Sequence, residues 1–147
     1  MTVRHARTAV PHTTTIPVSW GDTDAGGLIY YPRFFHYTIV ALNDYFAPAA
    51  GGGHLMDDLR RDGRTLPAVD ASGSFSSPLR AGETARVETT VTAIGDASLT
   101  VGFVVVSGGN DERAAELEVK FVLVDDAFEA TSLPDAMREC VRERGDG

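Results

Sequence analysis

The amino-acid sequence predicts an α+β domain, one long buried central helix wrapped by a curved antiparallel sheet of about five strands. Three observations carry this expectation. Residues 30–46 repeat apolar side chains at helical spacing on two faces at once, the mark of a helix surrounded by other elements. After Arg64 the period changes to that of strands and stays so almost to the end. Tight turn sequences join those strands one after another, which favours antiparallel pairing.

The 147 residues suit a single domain, 1–147, with a loose leader over 1–14 and a frayed end over 145–147. A formal net charge of -8 argues against a nucleic-acid-binding surface and gives no attraction to anionic membranes. The single cysteine, Cys140, excludes an internal disulfide and suits a cytoplasmic protein. The longest apolar runs, such as Phe103–Val106, are strand-sized, and the N-terminus has no apolar signal region.

In chain order, Ile16–Trp20 reads as a short strand, with Pro17 placing it at an edge or a strand start. Gly21–Gly27 is a turn of Asp and Gly. The long helix runs from Tyr30 or Tyr31 to about Phe46, with Pro32 in its first turn and Pro48 beyond its end. Tyr30, Phe34, Tyr37, Ala41 and Tyr45 share one face, and Phe35, Ile39, Leu42 and Phe46 a second. Arg33, His36, Asn43 and Asp44 form a narrow polar stripe. Gly51–Gly53 is a link, and His54–Asp62 a short helix ended by Gly63.

Leu66–Phe75, Thr84–Ile94, Ser98–Ser107 and Arg113–Val124 are the remaining strands. Ala85, Val87, Thr89 and Val91 alternate with polar residues in the second of these, and Ala115, Leu117, Val119 and Phe121 in the last. Gly95–Ala97 and Gly108–Asp111 are their turns. Leu133–Arg144 forms a C-terminal helix near Pro134. A sheet of this size leaves edges to cover, so a homodimer that continues the sheet, or a homotetramer, is expected.

The run of residues 20–35, WGDTDAGGLIYYPRFF, holds the chemistry. It brings a carboxylate pair, Asp22 and Asp24, to a helix N-terminus, where free N–H groups and the positive end of the dipole can polarise a carbonyl. Asp in a glycine-rich turn is also an ordinary turn former. An acyl carbonyl held by the helix end, with Asp24 on its other side, would have the parts of a hydrolysis site. The histidines show no zinc spacing with the acids, and no serine sits in a nucleophile elbow.

The same run resembles the signature of the 4-hydroxybenzoyl-CoA thioesterase family of hotdog-fold proteins, including the tol-pal-associated acyl-CoA thioesterases. Its form is GD-x-D-x-[AG]-G, two apolar residues, then an aromatic pair and often Pro. Residues 75–83, FSSPLRAGE, resemble the family's second, weaker hallmark, a strand leading into P-L-x-x-G-[DE]. The order of elements matches over roughly Ile16–Val124.

The resemblance implies the hotdog fold and hydrolysis of an acyl-CoA or acyl-carrier-protein thioester, with no cofactor and no metal. It matches Asp24 to the catalytic carboxylate, as nucleophile or general base, and Tyr31 to the backbone N–H that meets the thioester oxygen. Asp22 corresponds to a residue that fixes the turn. Gly26 and Gly27 keep the approach open, and Phe34, Phe35, Ile39, Phe75, Ser76 and Ser77 contact the acyl group. The 4-hydroxybenzoyl enzyme carries an acid for the phenol hydroxyl where Ile39 stands, so that acyl group is disfavoured. Several relatives also carry a base for CoA phosphates where this chain has Ile94–Ser98, leaving Arg80, Arg86 or an arginine from a neighbouring subunit as substitutes, or an acyl group delivered on a carrier protein. Two alternatives stand beside hydrolysis. One is a hydratase or dehydratase on the same scaffold, since such enzymes pair a histidine with a carboxylate and His36 lies in the helix. The other is a non-catalytic acyl-thioester-binding subunit.

Overall fold

The computed structural model describes residues 10–147. Its elements are β1 (His12–Pro17), a 3-10 turn (Trp20–Asp22), α1 (Pro32–Tyr45), a second 3-10 turn (Ala47–Ala50), α2 (Leu55–Arg61), β2 (Ala68–Phe75), β3 (Thr84–Ile94), β4 (Ser98–Ser107), β5 (Arg113–Val122) and α3 (Asp135–Glu143). The five strands form one antiparallel sheet in the order β1-β3-β4-β5-β2. This is the α+β architecture that the sequence predicts.

The inward rows follow the strand period. Ala85, Val87, Thr89 and Val91 of β3, Leu99, Val101, Phe103 and Val105 of β4, and Ala115, Leu117, Val119 and Phe121 of β5 are all buried. They pack against α1, whose Phe34, Tyr37, Ala41, Leu42 and Tyr45 are buried as well. Gly73 of β2 suits this packing, because a Cβ there would force the Leu117 side chain to shift.

Three expectations change. The sheet covers one side of α1 rather than most of its girth: Leu42 and Phe46 are fully buried, but Ile39 and Val40 are each 39% exposed. The sheet of one chain curves over one side of the helix only, and the Ile39 side lies beyond it. The first strand begins at His12 and ends at Pro17, so residues 12–14 of the expected leader are sheet. Thr13, Thr14 and Thr15 are β-branched and pair with Glu88, Val87 and Arg86. Trp20 falls in the following turn. The leader's residues 1–9, including His5, lie outside the described residues.

The C-terminus is tied rather than frayed. Asp146 Oδ2 accepts the Tyr45 hydroxyl at 2.7 Å and the Val91 N–H at 3.1 Å, and the Gly147 N–H donates to Val91 O at 2.9 Å. Nearby, the Arg144 guanidinium lies 4.5 Å over the Tyr45 ring and donates to Tyr45 O at 2.7 Å. Cys140 is buried against the same carbonyl. The reason is chemical: a tyrosine hydroxyl buried at the end of α1 needs a partner, and Asp146 supplies it.

Candidate active site

The loop between β1 and α1 is built by its own acids. Ser19 opens the first 3-10 turn, and its N–H and hydroxyl both reach Asp22 Oδ2 at 3.1 Å. The Tyr37 hydroxyl donates to the same oxygen at 2.8 Å, and Arg33 Nε stands 3.8 Å from Oδ1. Burial alone would raise the Asp22 carboxyl. The bonds from the Ser19 N–H, Tyr37 and the Ser19 hydroxyl, with the Arg33 charge, outweigh it and hold the carboxyl below the ordinary range. Tyr37 is shifted the other way, its hydroxyl pushed well above the usual tyrosine range by burial and by the Asp22 carboxylate.

Asp24 is arranged differently. Its N–H donates to Leu28 O at 2.8 Å and its carbonyl accepts the Gly27 N–H at 3.0 Å, closing a short loop. Gly27 takes a φ of 80°, a left-handed backbone that favours glycine. Asp24 Oδ1 accepts the Gly26 N–H at 2.8 Å and the Leu28 N–H at 3.4 Å. Oδ2 has no hydrogen-bond partner among the described residues, and the residue is exposed. One oxygen is therefore held by the backbone while the other has no partner among the described residues.

Tyr31 precedes α1 with helical dihedrals, φ −53° and ψ −34°. The N–H groups of Arg33 and Phe34 turn back to Tyr30 O and Tyr31 O at 2.8 and 3.1 Å, and Pro32 has no N–H. The Tyr31 N–H has no acceptor among the described residues, which leaves it as an open donor at the positive end of α1.

Beside this loop lies a cavity of about 310 Å³ lined by Leu28, Ile29, Tyr31, Phe34, Phe75, Ser76, Ser77 and Pro78. No charged side chain among the described residues lines it. The Phe75 ring is its hub, with ring centroids 5.3 Å from Phe34, 5.9 Å from Tyr31 and 6.4 Å from Phe35. Its serine edge is anchored outward, Ser76 Oγ to Arg113 O at 3.2 Å and Ser77 Oγ to Glu112 Oε1.

Of the residues expected in the site, Tyr31, Phe34, Phe75, Ser76 and Ser77 line the cavity, and Phe35 touches its aromatic hub. Asp24, Gly26 and Gly27 are not lining residues, but their loop ends in Leu28, which is. Ile39 is not brought there. A larger furrow of about 650 Å³ runs over Gly102 on the outer face of the sheet, away from the Asp24 loop, among Glu88, Glu116 and Glu118. It holds none of the expected site residues, and the smaller cavity is the one that adjoins the Asp24 loop.

The segment Pro78–Glu83 braces the loop from behind. Leu79 is fully buried and its carbonyl accepts the Ile29 N–H at 2.8 Å. Val18 exchanges bonds with Glu83 O and the Gly82 N–H at 2.9 and 3.0 Å, and Glu83 Oε1 accepts the Arg80 N–H at 2.7 Å. Leu28, Ile29 and Pro78 were missed as cavity residues by sequence reasoning. Their signal was available, since they sit inside or beside the two motif runs. Among the described residues no group of three or more His, Cys, Asp or Glu is placed to hold a metal ion.

The model of the Thioesterase-like superfamily matches residues 18–141. The chain belongs to the Thioesterase-like superfamily. No curated protein matches it in sequence. Among solved structures, this superfamily member is similar to a 1,4-dihydroxy-2-naphthoyl-CoA thioesterase from Synechocystis, with a TM-score of 0.82 at 18% identity over 92% of this chain and 98% of that one. A DHNA-CoA thioesterase from Staphylococcus aureus gives 0.80 at 18% identity, over 89% and 88% of the two chains. A gentisyl-coenzyme A thioesterase gives 0.77 at 21% identity, over 88% and 99%. At such identities the likeness carries the fold, the hotdog arrangement of one helix in a curved five-stranded sheet.

Proposed function

We propose that this chain is an acyl thioesterase that hydrolyses an acyl-CoA thioester, with Asp24 as the reacting carboxylate and the Tyr31 N–H as the donor to the carbonyl. One observation carries the reading. Asp24 keeps one oxygen on the Gly26 and Leu28 N–H groups and the other free, in a loop that runs directly to an open N–H at the start of α1. Membership of the Thioesterase-like superfamily supports it.

The thioester carbonyl oxygen accepts from the Tyr31 N–H, which stabilises the negative charge that develops on it by about 3 kcal/mol in comparable hydrolases. Asp24 Oδ2 then follows one of two routes. It attacks the carbonyl carbon, breaking the C–S bond and releasing the CoA thiolate, and water hydrolyses the resulting anhydride. Alternatively it takes a proton from a water that attacks directly, and the thiolate leaves from the tetrahedral intermediate. Neither route needs a metal or a redox cofactor.

The uncharged, aromatic-lined cavity supports an apolar or aromatic acyl group. Several structural neighbours are described as thioesterases of aromatic acyl-CoA esters, which supports the same class. Ile39 lies outside the cavity of one chain, so the reading against a 4-hydroxybenzoyl group rests on the lack of a charged lining residue instead. CoA is preferred as carrier because the structural neighbours are described as CoA thioesterases; the net charge of -8 attracts neither the CoA phosphates nor an acidic carrier protein. His36 makes no hydrogen bond to Asp24, and no observation favours a dehydratase. No helix among the described residues is long and apolar enough to cross a membrane. The single cysteine suits a reducing compartment, and on that ground we place the protein in the cytoplasm, as a homodimer or homotetramer.

The test is Asp24→Asn, assayed with the wild type on aromatic, short and long acyl thioesters of CoA and of carrier protein. Loss of turnover with retained binding is the expected result. A wild type that cleaves nothing, or a fully active Asp24→Asn variant, would overturn the assignment.

A further inference from the structure

A hydrogen-bonded network rooted at the buried Tyr37 lies behind the proposed site, and the mechanism does not use it. Tyr37, 1% exposed on α1, donates its hydroxyl to Asp22 Oδ2. The Asp22 main-chain carbonyl accepts the Tyr30 N–H at 2.8 Å, and the Tyr30 carbonyl accepts the Arg33 N–H at 2.8 Å. Tyr30 is thus tied on one side to Asp22 and on the other to the first turn of α1. In a planar trans peptide the C=O of one residue and the N–H of the next point in opposite directions. With the Tyr30 carbonyl turned into the helix, the Tyr31 N–H is turned out of it, toward no acceptor among the described residues.

We propose that Asp22 and Tyr37 are positioning residues for the Tyr31 amide. The Tyr37 hydroxyl fixes Asp22, and the Asp22 carbonyl holds the Tyr30 N–H, anchoring the residue whose own carbonyl begins the next peptide plane, the one that carries the Tyr31 N–H. Neither residue touches substrate; both act through Tyr30 and Tyr31. The inference rests on the thioesterase reading and adds to it the origin of the donor's direction. The Arg33 guanidinium belongs to the same unit, since Nη2 also donates to Gly21 O at 3.4 Å. The ionised state of Asp22, favoured by its donors, makes it a strong acceptor at neutral pH.

The fold supplies a matched control. Tyr45, at the other end of the same helix, makes a bond of the same kind to Asp146. Tyr37→Phe and Tyr45→Phe are compared in the full-length chain, on an acyl-CoA that the wild type cleaves and at a temperature where all variants are folded. Tyr37→Phe is expected to lower kcat roughly tenfold with KM within about twofold, the size of effect that a small misplacement of a reacting group produces. In an Asp24→Asn background it should also reduce the infrared shift of a bound ¹³C=O thioester carbonyl. Tyr45→Phe should change neither.

Equal kcat values for the two Phe variants, or a bound-carbonyl frequency that Tyr37→Phe does not move, would overturn the proposal. If Tyr37→Phe does not fold, Ser19→Ala, which removes one donor from the same Asp22 oxygen, is judged by the same two readouts. Failure here with Asp24→Asn inactive leaves the thioesterase reading standing. Full activity of Asp24→Asn removes both.

Discussion

Tyr45 and Asp146, 101 positions apart in sequence, meet in a 2.7 Å hydrogen bond at the last residue of α1. The carboxylate also holds the Val91 N–H of β3, so helix, sheet and C-terminus share one acceptor. Replacing Asp146 by Ala leaves a buried hydroxyl and a strand N–H without their partner. The expected loss is about 1–3 kcal/mol of stability, read as a lower urea midpoint, with unchanged turnover below the transition. An unchanged midpoint would mean that the terminus is free in solution.

Acid should weaken the protein through two particular carboxylates. Burial would raise Asp44, but the Thr14 hydroxyl at 2.6 Å, His12 at 2.8 Å and the Arg144 charge hold it below its ordinary 3.8. Asp22 is lowered by its own donors. A carboxyl whose folded pKa is depressed contributes stability that is fully present above the unfolded value. That contribution is lost as pH falls through the folded value, in the window below pH 3.8. Urea midpoints measured from pH 6 to pH 2.5 should fall in this window, and should fall less steeply for Asp44→Asn.

Gly26 and Gly27 separate under substitution. A Cβ at Gly26 would sit 3.3 Å from Asp24 Oδ1, pressing on the carboxylate while leaving the backbone allowed. Gly26→Ala should lower kcat several-fold with little change in melting temperature. Gly27 has open space but a φ of 80°, so Gly27→Ala should cost about 1–2 kcal/mol of stability. Calorimetry beside steady-state kinetics checks both, and the reverse pattern would contradict the geometry of the Asp24 loop.

Phe75 touches three other rings of the cavity region. Phe75→Ala removes those ring pairs, each worth about 0.5–1.5 kcal/mol. KM for an aromatic acyl-CoA should rise about tenfold, and KM for a short-chain ester much less. Equal effects on both esters would show that Phe75 is packing only.

Every residue of β2 is exposed, and Val69 is 56% exposed. An edge strand left open on one side invites pairing with a second copy. Val69→Lys should therefore shift the protein toward monomer in sedimentation velocity. A wild type that sediments as a monomer would remove the expected dimer.

Much of this was legible before any coordinates. β3 and β4 begin and end at the residues their turns predict, because Gly95–Ala97 and Gly108–Asp111 punctuate strict alternation. Asp24, Tyr31 and Phe75 sit in two short motif runs that stand out from the background. Other features were hidden by their local chemistry. Thr13 and Thr14 read as polar leader although they are strand formers, since only the partner strand reveals their use. Asp146 lies among glycines and carries no local sign that Tyr45 needs an acceptor. Ile39 has helical spacing but lies beyond the sheet's curve, which no periodicity reports. Tyr37 looked like core, and its hydroxyl was the overlooked signal.

The strand order has a consequence for how the chain assembles. Only the meander β3-β4-β5 is made of neighbours in sequence; β2 waits for β5 and β1 for β3. Loop-closure entropy favours the meander as the first part of the sheet to form. During synthesis β2 leaves the ribosome before β5 exists, so its hydrogen-bonding groups meet only water or a stranger until residue 122 has emerged. The stretch most exposed to misfolding is thus the one that ends in Phe75, and the aromatic cavity wall is finished only when the last strand arrives.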